Sequence, residues 1–195
     1  MKRIIIVAVF VTFMFTATLF QFIYAGSPFL TKSFSLTVGA GTRLFTEKEF
    51  KDSYDTTPLT YNIDLAWRCW NSVEIFVHTD YLKVDGLTSF TAEKTTLTII
   101  PVELGLRYNV AMKKSQNQRI YPYLGGGAGY YMVKEETFFG TTDQKRVGFF
   151  IEGGIKFYFA GAIFLDGKVK NIFLTSENDT NLGGMAIMGG LGISF

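Results

Sequence analysis

The chain contains one histidine, His78, and a strand alternation puts Glu74 and Asp80 on its face. A hydrolytic reading would make His78 a general base toward Thr79 or toward a serine from another strand. No His-x-Ser pair accompanies it, and one imidazole cannot build a usual zinc site. The favoured reading is a hydrogen-bonded wall residue. Cys69 is the sole cysteine, so no internal disulfide and no sulfur-based metal or redox centre can form. No catalytic residue, metal site or cofactor is expected.

The larger constellation is ionic. Asp64, Arg68, Glu74, Glu103, Arg107, Glu152, Lys156, Asp166, Lys168 and Lys170 fall on alternate positions of several apolar-patterned segments, so they share one face of a sheet. Charges of both signs brought into one interior should pair and satisfy one another. Two readings are open, a gate or selective pore and a structural plug. Phe76, Tyr158 and Phe164 lie on the same face and add bulk, which favours the plug.

A glycine cluster, Gly125 to Gly129, invites a phosphate-loop reading. It fails, because Tyr130 stands where a third glycine would fall and no helix follows to offer its N-terminal amides. Small residues in a strand at a crowded wall account for it better.

The elements that must carry these residues are strands. Tyr61, Ile63, Leu65, Trp67 and Cys69 alternate with Asn62, Asp64, Ala66 and Arg68; Val73, Ile75, Val77, Thr79 and Tyr81 alternate with Glu74, Phe76, His78 and Asp80. The same period of two recurs over 100–108, 149–157, 163–170 and 183–195, and less cleanly over 33–42 and 119–132, giving eight strands. Long polar connections are expected near 43–59, 82–95, 133–146 and 172–182, between short ones near 71, 111–118 and 160–162. With 48% hydrophobic and 16% aromatic residues, 20 Phe and 20 Gly, the composition suits pleated sheet and turns.

The first 25 residues differ from the rest. Met1-Lys2-Arg3, the apolar run Ile4 to Phe20 and the small Ala25 read as a secretory signal cleaved before Gly26, the alternative being an uncleaved membrane helix. Domains are therefore expected at 1–25 (signal peptide) and 26–195 (one barrel). Loss of Lys2 and Arg3 from 19 bases leaves 17 against 17 acids, so nucleic acid has no electrostatic footprint to bind. Position 26 is not cysteine, which excludes a lipoprotein anchor there.

Alternation alone does not say which face meets lipid, because a soluble barrel would bury the apolar side. Bulky apolar residues on nearly every strand, opposed by charges mixed with glycine, favour the apolar face outward. Trp67, Trp70, Tyr108, Phe157, Phe159 and Phe195 toward the short turns, and Tyr61, Tyr81, Tyr130 and Phe149 toward the loops, are candidate interfacial girdles. Roughly ten residues of tilted strand cross the apolar band, and only a closed sheet leaves no backbone group unpaired in lipid. The fold class is all-β, an eight-stranded antiparallel up-and-down transmembrane barrel.

Three stretches, 121–130, 164–170 and the closing Gly190-Leu191-Gly192-Ile193-Ser194-Phe195, resemble the small outer-membrane barrels of the OmpX, OmpW and OmpA-barrel type. The end resembles that group's assembly signal through Gly190, Ile193 and terminal Phe195, with Met188 where a polar residue is usual. The resemblance implies residence in the bacterial outer membrane after secretory export, with outer-membrane lipid and the barrel-assembly machinery as partners. It also implies a non-enzymatic role in structure or surface contact, with a surface or small hydrophobic ligand as a possible partner. The alternative is an OmpW-like conduit for small hydrophobic molecules, and a lipid-modifying barrel enzyme comes third.

Overall fold

The computed structural model describes residues 33–45, 54, 58–70, 72–87, 94–110, 119–174 and 182–195. The expected signal segment 1–25 and most of two of the expected long connections, 43–59 and 172–182, lie outside them. Eight strands follow one another: β1 (Phe34–Phe45), β2 (Leu59–Arg68), β3 (Val73–Leu87), β4 (Lys94–Asn109), β5 (Ile120–Thr137), β6 (Gly140–Ala160), β7 (Ile163–Leu174) and β8 (Gly184–Ser194). Each pairs antiparallel with its sequence neighbours, and β1 returns to β8 to close the barrel. The seam is finished by Phe34 and Phe195, whose amides each donate to the other's carbonyl at 2.9 Å. Closure removes every sheet edge, which a strand in hydrocarbon cannot leave open.

Along the strands the burial alternates residue by residue. Ile63, Val77, Leu104, Ile151 and Leu191 point outward and are about half exposed or more, while Asp64, His78, Glu103, Glu152 and Lys170 point inward and are buried. All the aromatic residues assigned to the two girdles except the half-buried Phe195 stand outward and exposed, and Phe34 stacks between Trp67 (6.3 Å) and Phe195 (6.2 Å) where the start of β1 lies beside the end of β8.

Two expected loops are strands instead. β3 and β4 run through most of 82–95, and β5 and β6 run through 133–146 to meet in a two-residue turn, Phe138-Phe139, before Gly140. The physical reason is an inversion of polarity. Above Tyr81, Ile100 and Met132 the outward residues become Lys83, Asp85, Thr96, Thr98, Lys134 and Glu136, while Leu82, Val84, Leu97, Ile99, Tyr131 and Val133 turn inward. The period of two continues unbroken, but beyond the lipid the apolar face belongs inside, as in any sheet facing water. Together with Phe45, Phe150, Ile172, Leu174 and Leu182 these inward residues form an apolar core across the loop end of the barrel.

Candidate functional site

The inward side chains form a charged layer beneath that apolar layer. One hydrogen-bonded row crosses the wall through Arg68, Glu74, Arg107, Gly125, Glu152 and Lys170, on β2 to β7 in order. Signs alternate along the row except at Gly125. There the missing side chain lets Arg107 reach over β5 to Glu152, with Nε 2.9 Å and Nη2 2.7 Å from Oε1. A Cβ on Gly125 would stand 2.9 Å from the Leu106 carbonyl oxygen and 3.3 Å from Glu152 Cγ, too close for both.

Arg107 is the hub. Its Nη2 also donates to Asp64 Oδ2 at 2.9 Å, and Nη1 lies 3.7 Å from Glu74 Oε2. The rings of Phe76 and Tyr123 lie 4.2 Å and 4.5 Å from its guanidinium carbon, shielding the planar cation from water. Lys156 donates to Glu74 Oε2 at 2.7 Å, and Phe76 meets Phe150 edge to face at 5.9 Å across the inward glycines of β4 and β5.

A second cluster sits toward the apolar layer. Lys170 donates to Asp80 Oδ2 at 3.0 Å and to Glu103 Oε2 at 2.7 Å; Glu103 Oε1 accepts from the Tyr131 hydroxyl at 2.7 Å. His78 Nε2 is 2.6 Å from Asp80 Oδ1, and its Nδ1 is 3.2 Å from Lys168 Nζ. An ammonium only donates, so Nδ1 accepts, and the ring proton on Nε2 goes to Asp80. Both nitrogens are therefore engaged, while Thr79 Oγ1 points to the other side and donates to the Pro101 carbonyl at 2.7 Å. The pair has no geometry for hydrolysis. His78, Asp80 and Glu103 present ligand atoms within 4.8 Å of one another, but Lys170 Nζ already supplies their cation.

Of the residues singled out from the sequence, Asp64, Glu74, Glu103, Arg107, Glu152, Lys156, Lys168 and Lys170 are brought into this buried network. Asp166 is buried beside it and accepts from the Tyr123 hydroxyl at 2.9 Å. Arg68 only borders it: its side chain is 35% exposed at the short-turn end and reaches Glu74 at 3.1 Å. Four contributors were missed as site residues. Asp80 was readable from its spacing to His78, and Tyr123 and Tyr131 from their place on the same strand face as Gly125, Gly127 and Gly129. Arg43, whose Nη2 donates to the Leu182 carbonyl at 2.7 Å, lies on β1 inside the expected connection 43–59. Among the described residues, with Arg43 and Arg146 included, the buried bases (those two with Arg107, Lys156, Lys168 and Lys170) equal the buried acids (Asp64, Glu74, Asp80, Glu103, Glu152 and Asp166), six against six.

The sequence of residues 30–195 matches the family described as outer membrane protein beta-barrel domain. The chain belongs to that family. This outer-membrane barrel is also similar in fold to solved relatives at low identity. It covers 86% of its own length and 98% of OprG from Pseudomonas aeruginosa (TM-score 0.64, 13% identity), and 83% against 97% of Neisserial surface protein A (TM-score 0.63, 13% identity). It is likewise similar to Ail of Yersinia pestis, solved with the heparin analogue sucrose octasulfate (TM-score 0.55, 15% identity, 84% and 100% covered). No curated protein matches the sequence. The outer-membrane barrel thus resides in the bacterial outer membrane, its outward apolar band in lipid and its charged layer inside. Of the closing residues, Ile193 faces lipid, Gly190 faces inward with a Cβ position 2.8 Å from the Val38 carbonyl oxygen, and Phe195 stacks on Phe34.

Proposed function

We propose that this barrel is a non-enzymatic component of the outer membrane whose lumen is closed by paired charges and whose working surface is the extracellular end. The observation that carries this reading is Arg107, held by Asp64 and Glu152 between two aromatic rings in the middle of the lumen. A charge so paired and shielded is costly to move aside for a passing ion. The apolar layer of Leu82, Ile99 and Phe150 above it opposes hydrated solutes for a second reason, the lack of hydrogen-bonding groups. Planar-bilayer recordings of the refolded chain test this: small or no conductance is expected, and stable large channels would overturn it.

A conduit for small hydrophobic molecules is the second reading, favoured only by that apolar layer, which would receive such a molecule at the loop end. Uptake of a hydrophobic dye into vesicles carrying the barrel, above the level of empty vesicles, would support it over closure. During biogenesis we assign residues 1–25 to a cleaved leader, and Gly190, Ile193 and Phe195 to the signal read by the assembly machinery. Mass spectrometry of the outer-membrane fraction should find a mature chain beginning at Gly26.

A further inference from the structure

The β5–β6 hairpin ends in a feature that neither the barrel wall nor the plug uses. Thr137 pairs with Gly140, and the two residues between them are Phe138 and Phe139, each 80% exposed. Their rings meet edge to face at 5.6 Å. Two-residue hairpin turns favour glycine, asparagine or aspartate at their centre, so the pair gains nothing from local turn chemistry. The turn at the other end of β6, Gly161-Ala162 with φ +54° at Gly161, shows the ordinary choice.

The hairpin also holds the pair well away from its own membrane. Outward apolar residues stop at Met132 and Val147, and Lys134, Glu136, Asp143 and Lys145 occupy the outward face beyond them. Six residues of strand at about 3.4 Å each, tilted by about 40°, lift Phe138 about 15 Å above the apolar edge. A headgroup layer of about 5–8 Å per side leaves the rings clear of it. The strands beneath are anchored: Tyr131 and Val133 join the apolar core, and Glu135 accepts from the Tyr54 hydroxyl at 2.5 Å.

We propose that Phe138 and Phe139 form an apolar anchor that inserts into a facing lipid surface, another bilayer rather than the one the barrel spans. Two aromatic side chains offer roughly 300–500 Å², well short of the roughly 800 Å² per partner that a specific protein interface needs. A bilayer accepts such an anchor without a matching surface. Charge gives no other direction, because Lys134 and Glu136 pair with each other and Thr137, Thr141 and Thr142 around the tip are neutral. The proposal deepens the reading that the extracellular end is the working surface, and it is independent of whether the lumen conducts.

The full barrel in nanodiscs, mixed with separate phosphatidylcholine vesicles and floated on a density gradient, tests it. Wild-type discs should rise with the vesicles, F138S/F139S discs should bind about a hundred-fold more weakly, and K134Q/E136Q discs should bind like wild type. The heat-dependent gel shift of each variant reports that the barrel is folded. Wild-type discs floating no better than empty discs would overturn the proposal, as would unchanged binding of the double serine variant. Pairing of discs without vesicles that the serine variant abolishes would also overturn it, naming a second copy as the occupant. Bilayer conductance is unaffected by any of these outcomes, so failure here is separable from failure of the closed-lumen reading.

Discussion

Arg107 and Glu152 sit two strands apart on one row of the barrel wall and meet at 2.7 Å across the bare backbone of Gly125. The pair shows how the charged layer is built: glycine inside the wall is the space into which a neighbouring long side chain folds. Where a row carries two large inward groups, such as Phe76 and Phe150, the strands between them carry Gly105 and Gly127. A Cβ on Gly105 would stand 2.7 Å from the Phe76 ring.

Replacing Arg107 by methionine keeps most of its volume but leaves Asp64 and Glu152 without their principal cation. The expected loss is about 3–5 kcal/mol in urea unfolding of the refolded barrel, the cost of breaking a buried pair from one side. Adding E152Q should recover part of that loss, since one stranded charge is then removed. A variant R107M as stable as wild type would mean the hub is not holding the layer.

The polarity inversion predicts opposite tolerance on one face of one strand. Leu104 and Thr98 both point outward from β4, Leu104 at 59% exposure within the apolar band and Thr98 above its edge. Leu104→Lys should cost about 2–4 kcal/mol in lipid, whereas Thr98→Lys should cost less than about 1 kcal/mol. Equal costs in vesicle-based unfolding would place the membrane edge elsewhere.

Tyr54 is clipped to the wall, bridging to Gly86 and donating to Glu135. Burial, with help from the Glu135 carboxylate, pushes its phenol up to about 12 from an ordinary 10.0. A raised value means the protonated hydroxyl is the form that folding favours. The clip is therefore complete below pH 10 and lost as pH climbs through about 12. The difference in tyrosinate absorbance between wild type and Y54F should show one phenol titrating near 12; a midpoint near 10 would mean Tyr54 is not held.

Phe195 closes the barrel and stacks on Phe34 at 6.2 Å. Its removal forfeits an anchor of about 2 kcal/mol, a modest loss for refolding into detergent or lipid. Delivery to the outer membrane in cells should fall much further, because the terminal strand is also what an assembly machine reads. Wild-type levels of the deletion variant in the outer membrane would refute the signal assigned to Gly190, Ile193 and Phe195.

Strand number, closure and the outward apolar face were determined by the sequence, because a period of two needs no tertiary information and lipid admits only a closed sheet. The grouping of Asp64, Arg107, Glu152 and Lys170 into one interior followed for the same reason. Which charges touch was decided only by the tertiary structure. Partners such as Lys170 and Glu103, 67 residues apart, meet through the stagger of the closed barrel, a quantity that no local pattern encodes. The height at which alternation changes sides was also hidden. Leu82, Val84, Leu97 and Ile99 keep the same period as Val77 and Leu104 but bury the opposite face, and only the surroundings, lipid below and water above, tell the two apart.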